Sequence, residues 1–416
     1  MIKKILVKLF IALINILIFF LSLFIKKDKG IIIIGGWFGR RFSDNSRYFY
    51  LYLNKYKKEL GLKKVIWVTT NDEIYTELND LGFDVVKKWS LKSIYYHLKA
   101  KYHIIDQSVK DINSYFSVRA IKINLWHGFP LKKVGNYRYE NQKVKAFKKI
   151  IKKFNLDLFS EGFWRKSYLL ATSKFSSDIL GYAFDKKKEK IIIANYPRND
   201  NLLYDFRFII PKNEKEVLRI IESHKKSGYN VILYLPTFRD KKATIFLGEN
   251  DKNKVINFID FCENNKIILV TKFHFANISI HESKSFVELD NKNNIINLPH
   301  DMDIYNITKL SNILITDYSS VYFDYLLLNR PIIFFPYDLD YYKYEDRGLI
   351  FDYDEYTPGF KVYNLEELKR KILYLINNNF DDGFEIKRKI LKEKIFEIKN
   401  KPGSYYLIKT LLNIKR

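Results

Sequence analysis

Short apolar runs alternate with segments of helical periodicity along most of the chain. The apolar runs end in glycine or polar residues and predict strands, at residues 30–36, 64–69, 102–106, 121–124, 231–235, 266–271, 295–298, 312–316 and 331–335. Apolar residues recur with helical spacing over segments such as 45–60 and 72–81. Strands that alternate with helices form parallel sheets covered on both faces. Two successive series therefore predict an α/β protein with two Rossmann-like domains, residues 30–202 and 203–416, that face a cleft.

The N-terminus has a different pattern. Residues 5–25 are almost uniformly apolar, interrupted by Lys8, Asn15 and Ser22, and lysines flank the run on both sides. A bilayer core needs about 20 apolar residues to be crossed, and the run has no small-residue cleavage pattern. We expect residues 1–29 to form a membrane anchor that spans the bilayer or lies in its interface. The lysines at 26–29 place the next domain on the cytoplasmic side; a buried first helix of the globular domain is the alternative.

Composition adds a strong positive charge. The formal net charge is +25, from 72 Lys and Arg against 47 Asp and Glu. Such a charge is typical of proteins with a polyanion or membrane partner; the codon composition of an AT-rich genome, which also favours Lys, Ile, Asn, Phe and Tyr, is the alternative source. The basic residues are spread along the chain without a nucleic-acid motif, so no nucleic-acid partner is expected. An amphipathic basic segment at 143–153 suits either membrane docking or a solvated surface. The single cysteine, Cys262, excludes an intramolecular disulfide.

One strand end carries the most informative polar cluster. The strand at 312–316 runs into Thr316, Asp317, Ser319 and Ser320, and a helical pattern follows at once. Free amides and hydroxyls at such a turn suit a phosphate. Simple capping of the helix is the alternative.

Other polar residues follow strands of the same predicted sheets. His127, Arg239 and Lys272 with His274 each come directly after a predicted strand. In open α/β sheets, ligands bind beyond the carboxyl ends of the strands. Together with Arg198 these groups suit a diphosphate, because Arg binds phosphate oxygens bidentately and Lys supplies a point charge.

Several segments, in this order, resemble the CDP-glycerol glycerophosphotransferase family, whose members build teichoic-acid-type poly(polyol phosphate) chains. They are FSDNS at 42–46, HGFPLKK at 127–133, YPRND at 196–200, YLPTFRD at 234–240, KFH at 272–274, DYSS at 317–320, RPI at 330–332 and YEDRG at 344–348. The chain departs from the family at Phe129 and Phe275, where Thr and Pro are usual. Both departures lie beside histidines of the motifs, so the acceptor or the polyol is expected to differ from the commonest case.

The resemblance implies a GT-B fold and a transferase at the cytoplasmic face of the cell membrane. Such an enzyme moves a polyol phosphate, glycerol phosphate foremost, from a CDP-polyol to a hydroxyl of a lipid-linked or polymeric acceptor and releases CMP in cell-wall or capsule synthesis. His127 is then the candidate general base, and Lys132 and Lys133 lie on the acceptor side. The donor is assigned to residues 203–416. The implied substrate-binding residues are Arg198, Arg239, Lys272, His274, Thr316, Asp317, Ser319 and Ser320.

Metal use and two rival functions stay open at this stage. No protein metal site is predicted, although the acid pairs Asp301/Asp303 and Asp338/Asp340 have the Asp-x-Asp spacing of metal-dependent transferases. Mg²⁺ bound through the substrate diphosphate is also compatible with the sequence. The rivals are a nucleotide-sugar glycosyltransferase of the same fold and a non-enzymatic basic membrane protein. The sequence does not decide between glycerol and ribitol as the polyol. It also leaves open the acceptor, the number of units added and the oligomeric state.

Overall fold

The computed structural model describes residues 16–139, 166–237, 239, 245–272 and 294–414. Its first half forms a parallel sheet of seven strands in the order β3-β2-β1-β4-β5-β6-β7. The strands are β1 Asp28–Ile34, β2 Lys64–Thr69, β3 Val85–Lys87, β4 Ala100–Ile105, β5 Ile121–Asn124, β6 Tyr168–Ala171 and β7 Ile191–Ile193. The helices are α1 Asp44–Lys55, α2 Asp72–Asp80, α3 Leu91–Lys99, α4 Lys174–Phe184 and α5 Pro197–Leu203.

The second half forms a parallel sheet of six strands in the order β10-β9-β8-β11-β12-β13. Its strands are β8 Asn230–Leu235, β9 Ile267–Thr271, β10 Ile295–Asn297, β11 Ile313–Thr316, β12 Ile332–Phe334 and β13 Phe360–Lys361. The remaining helices are α6 Lys212–Lys226, α7 Lys252–Asn264, α8 Tyr305–Leu310, α9 Val321–Tyr325, α10 Leu339–Tyr344, α11 Tyr353–Tyr356, α12 Leu365–Asn377, α13 Glu385–Ile395 and α14 Gly403–Asn413.

Both faces of each sheet are covered, as the continuous apolar strands require. In β1, Ile32 and Ile34 enter one core cluster, whereas Ile31 and Ile33 enter another on the opposite face. The last helix, α14, packs on the first sheet through Leu407, Ile408 and Leu411, although it follows the second sheet along the chain.

The predicted α/β architecture of parallel sheets is confirmed, and nine observed strands coincide with the predicted apolar runs within two residues at each end. The short strands β3, β6, β7 and β13 were not predicted, because two to four residues carry too little pattern. The division at residues 202 and 203 stays a prediction.

The N-terminal segment is described only in part. Residues 16–23 are helical, and Arg119 donates to the carbonyl of Ser22. Ile18 and Ser22 are buried, whereas the other side chains from residue 16 to residue 24 are exposed. Within the described residues, no helix combines the length and the apolar character needed to cross a membrane. Residues 1–15 of the predicted anchor and the basic segment at 143–153 lie outside the described residues.

Candidate active site

A cavity of about 230 Å³ lies where the carboxyl ends of the two sheets face each other. The first half contributes Trp37, Arg41, Ser43, Asp44, His127 and Arg198. The second half contributes Leu235, Pro236, Lys272, His300, Met302, Asp303, Ile304, Tyr305, Ser319, Ser320 and Val321. Residues predicted from separate strand ends are therefore neighbours in space.

The loop after β5 carries His127 into this cavity. Its backbone is fixed on both sides of Trp126, whose N–H donates to Asn124 Oδ1 at 2.7 Å and whose carbonyl accepts from Asn45 Nδ2 at 2.7 Å. Gly128 follows with φ of 133°. A Cβ at Gly128 would lie 2.9 Å from Arg198 Nη2 and 3.5 Å from Ser320 Oγ. The positive φ and the close approach to Arg198 both favour glycine at this position.

His127 is half-buried with its ring 3.9 Å from that of Trp126. Its Nδ1 is buried and has no hydrogen-bond partner among the residues that the structure describes. Burial lowers the pKa of His127 to about 4, although the nearby Asp44 carboxylate favours the charged ring. The imidazole is therefore neutral near pH 7 and can take up a proton.

Arg198 also reaches the cavity, but two carboxylates hold its guanidinium. Its Nη1 donates to Asp44 Oδ1 at 2.6 Å and its Nη2 donates to Asp324 Oδ2 at 2.6 Å. Against the effect of burial, these carboxylates raise the pKa of Arg198 well above its usual value. Arg198 thus joins the two halves of the molecule through ion pairs with one carboxylate from each half.

Lys272 and Arg41 differ from Arg198 in their electrostatics. Lys272 Nζ donates to the carbonyl of Met302. Burial lowers the pKa of Lys272 to about 8, and the nearby Arg41 charge adds to this effect. Burial also lowers the pKa of Arg41, and the attraction of Asp301 and Asp44 does not offset it. A lowered pKa means that burial destabilises the positive charge more than the nearby carboxylates stabilise it. An anion bound in the cavity would therefore stabilise these cations.

The turn after β11 divides into a structural part and a cavity-facing part. Thr316 Oγ1 donates to the carbonyl of Leu235 at 2.7 Å. The Asp317 carboxylate accepts from the N–H groups of Thr237 and Tyr318 at 2.8 and 2.6 Å. Thr316 and Asp317 therefore shape the turn. Ser319 and Ser320 face the cavity, and the Ser320 side chain makes no capping bond to the helix that follows.

Arg239 lies beside this turn, outside the cavity lining. Its guanidinium pairs with Asp317 at 2.5 Å and with Asp338 at 2.7 Å, and Tyr318 is one of the tyrosine rings around it. These contacts raise the pKa of Arg239 against the effect of burial. Arg239 is placed to brace the turn rather than to contact a ligand.

The remaining predicted residues lie elsewhere. The chain at Lys132 bridges Leu349, and the Lys133 N–H donates to the carbonyl of Gly348 at 3.1 Å, so this segment joins the two halves through its backbone. His274 and Phe275 lie outside the described residues. Phe129 is buried in the aromatic core, 4.9 Å from Phe323, so the departure from the family there concerns packing.

One member of each acid pair, Asp303 and Asp338, has partners within the protein. Asp303 accepts from the Asp44 N–H at 2.8 Å, the Tyr48 hydroxyl at 2.7 Å and the Tyr305 N–H at 2.9 Å. Asp338 pairs with Arg239. Across the described residues there is no group of three or more side chains that could hold a metal ion.

Sequence reasoning gave no binding or catalytic role to several other residues that line the cavity, among them Trp37, Arg41, Asp44, His300 and Asp303. Trp37 and Arg41 follow β1, so they could have been predicted from the strand-end rule, which states that ligands bind beyond the carboxyl ends of the strands. Asp44 lies in the FSDNS segment, to which no role was given. Asp303 was weighed only as a metal ligand, and no pattern in the sequence distinguishes His300.

Comparison with known proteins gives consistent matches. A match to the family described as CDP-Glycerol:Poly(glycerophosphate) glycerophosphotransferase covers residues 17–413. A teichoic acid glycerol-phosphate transferase of Staphylococcus aureus is 30% identical over 81% of this chain and 82% of its own length. A teichoic acid poly(glycerol phosphate) polymerase of Bacillus spizizenii is 29% identical over 80% of this chain and 81% of its own length.

Solved structures agree on the fold. The wall teichoic acid polymerase TagF superposes with a TM-score of 0.71 at 23% identity, over 99% of this chain and 96% of that chain. This likeness supports the GT-B-type arrangement of the two sheets. Together with the family match and the curated relatives, it leads to one assignment: the chain is an enzyme of the CDP-glycerol:poly(glycerophosphate) glycerophosphotransferase family.

Proposed function

We propose that this enzyme transfers glycerol phosphate from CDP-glycerol to a hydroxyl of a growing or lipid-linked acceptor and releases CMP. The proposal rests on one observation. The neutral His127 from the first sheet lines the same cavity as Lys272, Ser319 and Ser320 from the second sheet. A proton acceptor on one side and anion-binding groups on the other are the parts that phosphotransfer needs.

The donor diphosphate occupies the side formed by the second sheet. Lys272 supplies positive charge, and the hydroxyls of Ser319 and Ser320 donate to phosphate oxygens. The lowered pKa of Lys272 supports this assignment, because a bound diphosphate would stabilise the buried ammonium charge. Arg198 and Arg239 contribute indirectly, since they fix the chain segments that surround the donor.

The acceptor hydroxyl binds beside His127. As its oxygen attacks the phosphorus that bears the glycerol, the imidazole takes the hydroxyl proton. A bond forms between that oxygen and phosphorus, and the bond from phosphorus to the bridging oxygen breaks. The bridging oxygen leaves with CMP, whose charge Lys272 helps to stabilise.

Glycerol is the favoured polyol because of the extent of the matches. The glycerol-phosphate enzymes named above match about four fifths of the chain. A teichoic acid ribitol-phosphate polymerase of Staphylococcus aureus matches 50% of the chain at 26% identity. The glycerol-phosphate enzymes thus match more of this chain than the ribitol-phosphate polymerase does.

The proposal places the enzyme at the cytoplasmic face of the membrane, where a lipid-linked acceptor would be available. The exposed apolar side chains of residues 16–24 support this, because such clusters mark interaction surfaces. Lysines 26, 27 and 29 follow directly and would attract anionic lipid.

A donor panel tests the proposal. The enzyme is incubated with CDP-glycerol, CDP-ribitol or UDP-glucose and a glycerol-phosphate acceptor, with and without Mg²⁺, and the free nucleotide is measured. We expect acceptor-dependent CMP release that is fastest from CDP-glycerol. UDP release without CMP release would identify a glycosyltransferase instead.

A further inference from the structure

The start of α1 has an unusual backbone. Its first residue, Asp44, has a φ of 65°, in the left-handed region that residues other than glycine seldom occupy. Such strain persists only where surrounding contacts fix it, and it concentrates at functional sites. Asp44 is buried, and it lines the cavity together with His127. The strained residue thus lies at the reacting end of the molecule.

Contacts from both halves of the molecule fix Asp44. Its N–H donates to Asp303 Oδ2 at 2.8 Å. Its Oδ1 accepts from Arg198 Nη1 at 2.6 Å, and its Oδ2 accepts from Trp37 Nε1 at 3.2 Å. Both carboxylate oxygens are therefore held by side chains that also line the cavity.

The same turn of α1 fixes the surroundings of the His127 ring. The next residue, Asn45, donates from Nδ2 to the carbonyl of Trp126 at 2.7 Å, which holds the chain directly before His127. The Trp37 ring, bonded to Asp44, lies 6.3 Å from the His127 ring. The Trp126 ring lies 3.9 Å from it. Two aromatic residues beside the imidazole are therefore attached to the start of α1.

The Asp44 carboxylate also acts on His127 through its charge. Burial lowers the pKa of His127, and the carboxylate opposes this effect, whereas the charges of Arg198 and Lys132 add to it. Arg198 also donates to Asp324 Oδ2 at 2.6 Å, so its positive charge is shared between two carboxylates. A carboxylate near a catalytic imidazole stabilises the imidazolium that forms when the base takes a proton.

We propose that Asp44 is a positioning residue for His127: it holds the Trp37 ring beside the imidazole and stabilises the imidazolium that forms as the acceptor hydroxyl loses its proton. This inference rests on the function proposed above and adds a residue to its machinery. The proton stays on the imidazole, and Asp44 keeps its negative charge. Against the effect of burial, the Arg198 guanidinium holds the pKa of Asp44 below its usual value.

The experiment asks whether Asp44 acts through His127. Asp44→Asn keeps the size of the side chain and removes its charge. Asp324→Asn is the matched control, because Asp324 is also buried, pairs with the same guanidinium at 2.6 Å and lies outside the cavity lining. Each substitution is made in the unchanged chain and in His127→Ala. CMP release from CDP-glycerol with a glycerol-phosphate acceptor gives kcat and KM, and thermal unfolding gives the melting temperature.

We expect Asp44→Asn to lower kcat by about 10- to 100-fold, the usual effect of losing an interaction with a charged group. The KM for CDP-glycerol should change less than about threefold, because the imidazolium exists in the transition state and not in the bound substrate complex. In His127→Ala the same substitution should lower kcat by less than about threefold, since no imidazolium forms there. Asp324→Asn should change kcat by the same factor in both backgrounds.

Trp37→Phe gives a second test that leaves the ion pair of Asp44 and Arg198 in place. It removes the Nε1 donor to Asp44 and keeps an aromatic ring beside His127. We expect a loss in kcat of about threefold or more, which disappears in His127→Ala. This variant decides the matter if Asp44→Asn does not fold.

An equal loss in kcat from Asp44→Asn in both backgrounds would assign Asp44 a purely structural role and overturn the inference. Unchanged kcat in the unchanged background, or a loss expressed in the KM for CDP-glycerol, would also overturn it. Full activity of His127→Ala would overturn it together with the base assignment. The proposed function fails separately, if the unchanged chain releases no CMP with any acceptor.

Discussion

At the scale of single residues, buried carboxylate pairs identify cations that hold the structure together. Arg47 and Glu214 are both buried and lie 2.6 Å apart, and Arg198 and Arg239 are likewise paired with carboxylates. Arg41 and Lys272 line the cavity, and burial lowers the pKa of each. The sequence could not separate these groups, because the partners are far apart; Arg47 and Glu214 differ by 167 positions.

Replacing His127 by Ala should lower kcat by about 10²- to 10⁴-fold, because a general base is lost. The fold should remain, since the His127 ring is only half-buried and lies at the cavity. CMP release from CDP-glycerol measures the effect. His224→Ala is the control, because His224 lies on the last turn of α6. Activity of the His127 variant within a few-fold of the unchanged chain would rule out the base assignment.

The pH dependence gives a second test of His127. The base must be neutral, so activity is lost when the imidazole gains a proton. Because the pKa of His127 is lowered to about 4, kcat/KM should stay level as the pH falls through 6.5 and should drop only near pH 4. A drop centred near the ordinary histidine pKa of about 6.5 would contradict the proposed environment of His127.

Ser319→Ala combined with Ser320→Ala should weaken CDP-glycerol binding about 10-fold or more, because each hydroxyl donates to a charged oxygen. The melting temperature should change little, since the Ser320 side chain makes no capping bond. Calorimetric titration and thermal unfolding of the same variant measure the two effects. A lower melting temperature with unchanged affinity would mean that the serines only cap the helix.

At the scale of elements, the strand-end rule predicted much of the cavity but not how its parts are used. The rule placed His127, Lys272, Ser319 and Ser320 near each other because parallel strands end at the same edge. It could not foresee that Arg239 turns towards Asp317 and Asp338. Side-chain direction within a loop depends on long-range partners, which a periodic pattern does not encode.

The contact between α1 and the chain before α8 holds the two halves together at the cavity. Tyr48 on α1 donates to Asp303 at 2.7 Å, and both residues are buried. Tyr48→Phe should destabilise the protein by about 1.5–3 kcal/mol, the usual value for a hydrogen bond to a charged group. Thermal unfolding measures this, with Tyr95→Phe on the exposed side of α3 as the control. Equal melting temperatures for both variants would show that the Asp303 contact contributes little.

At the scale of the whole molecule, the two sheets face one cavity and α14 returns to pack on the first sheet. The alternation of strands and helices predicted this architecture, because many separate segments of the chain show the pattern. The return of α14 was not predicted, because an amphipathic helix does not specify which sheet it covers.

Deletion of residues 1–24 should leave a folded enzyme that no longer binds lipid. Within the described residues 16–24, only Ile18 and Ser22 are buried, so this part of the segment contributes little to the core. Flotation with anionic vesicles and CMP release from CDP-glycerol measure the two properties. A variant that does not fold would assign the segment to the core, and undiminished vesicle binding would disprove the anchor.

The most direct test of the central claim measures transfer itself. CDP-glycerol and a glycerol-phosphate acceptor are incubated with the enzyme, and CMP and the mass of the acceptor are followed together. The account predicts one glycerol phosphate gained for each CMP released, and neither change with His127→Ala. CMP release without any gain in acceptor mass would show hydrolysis rather than transfer and would contradict the account.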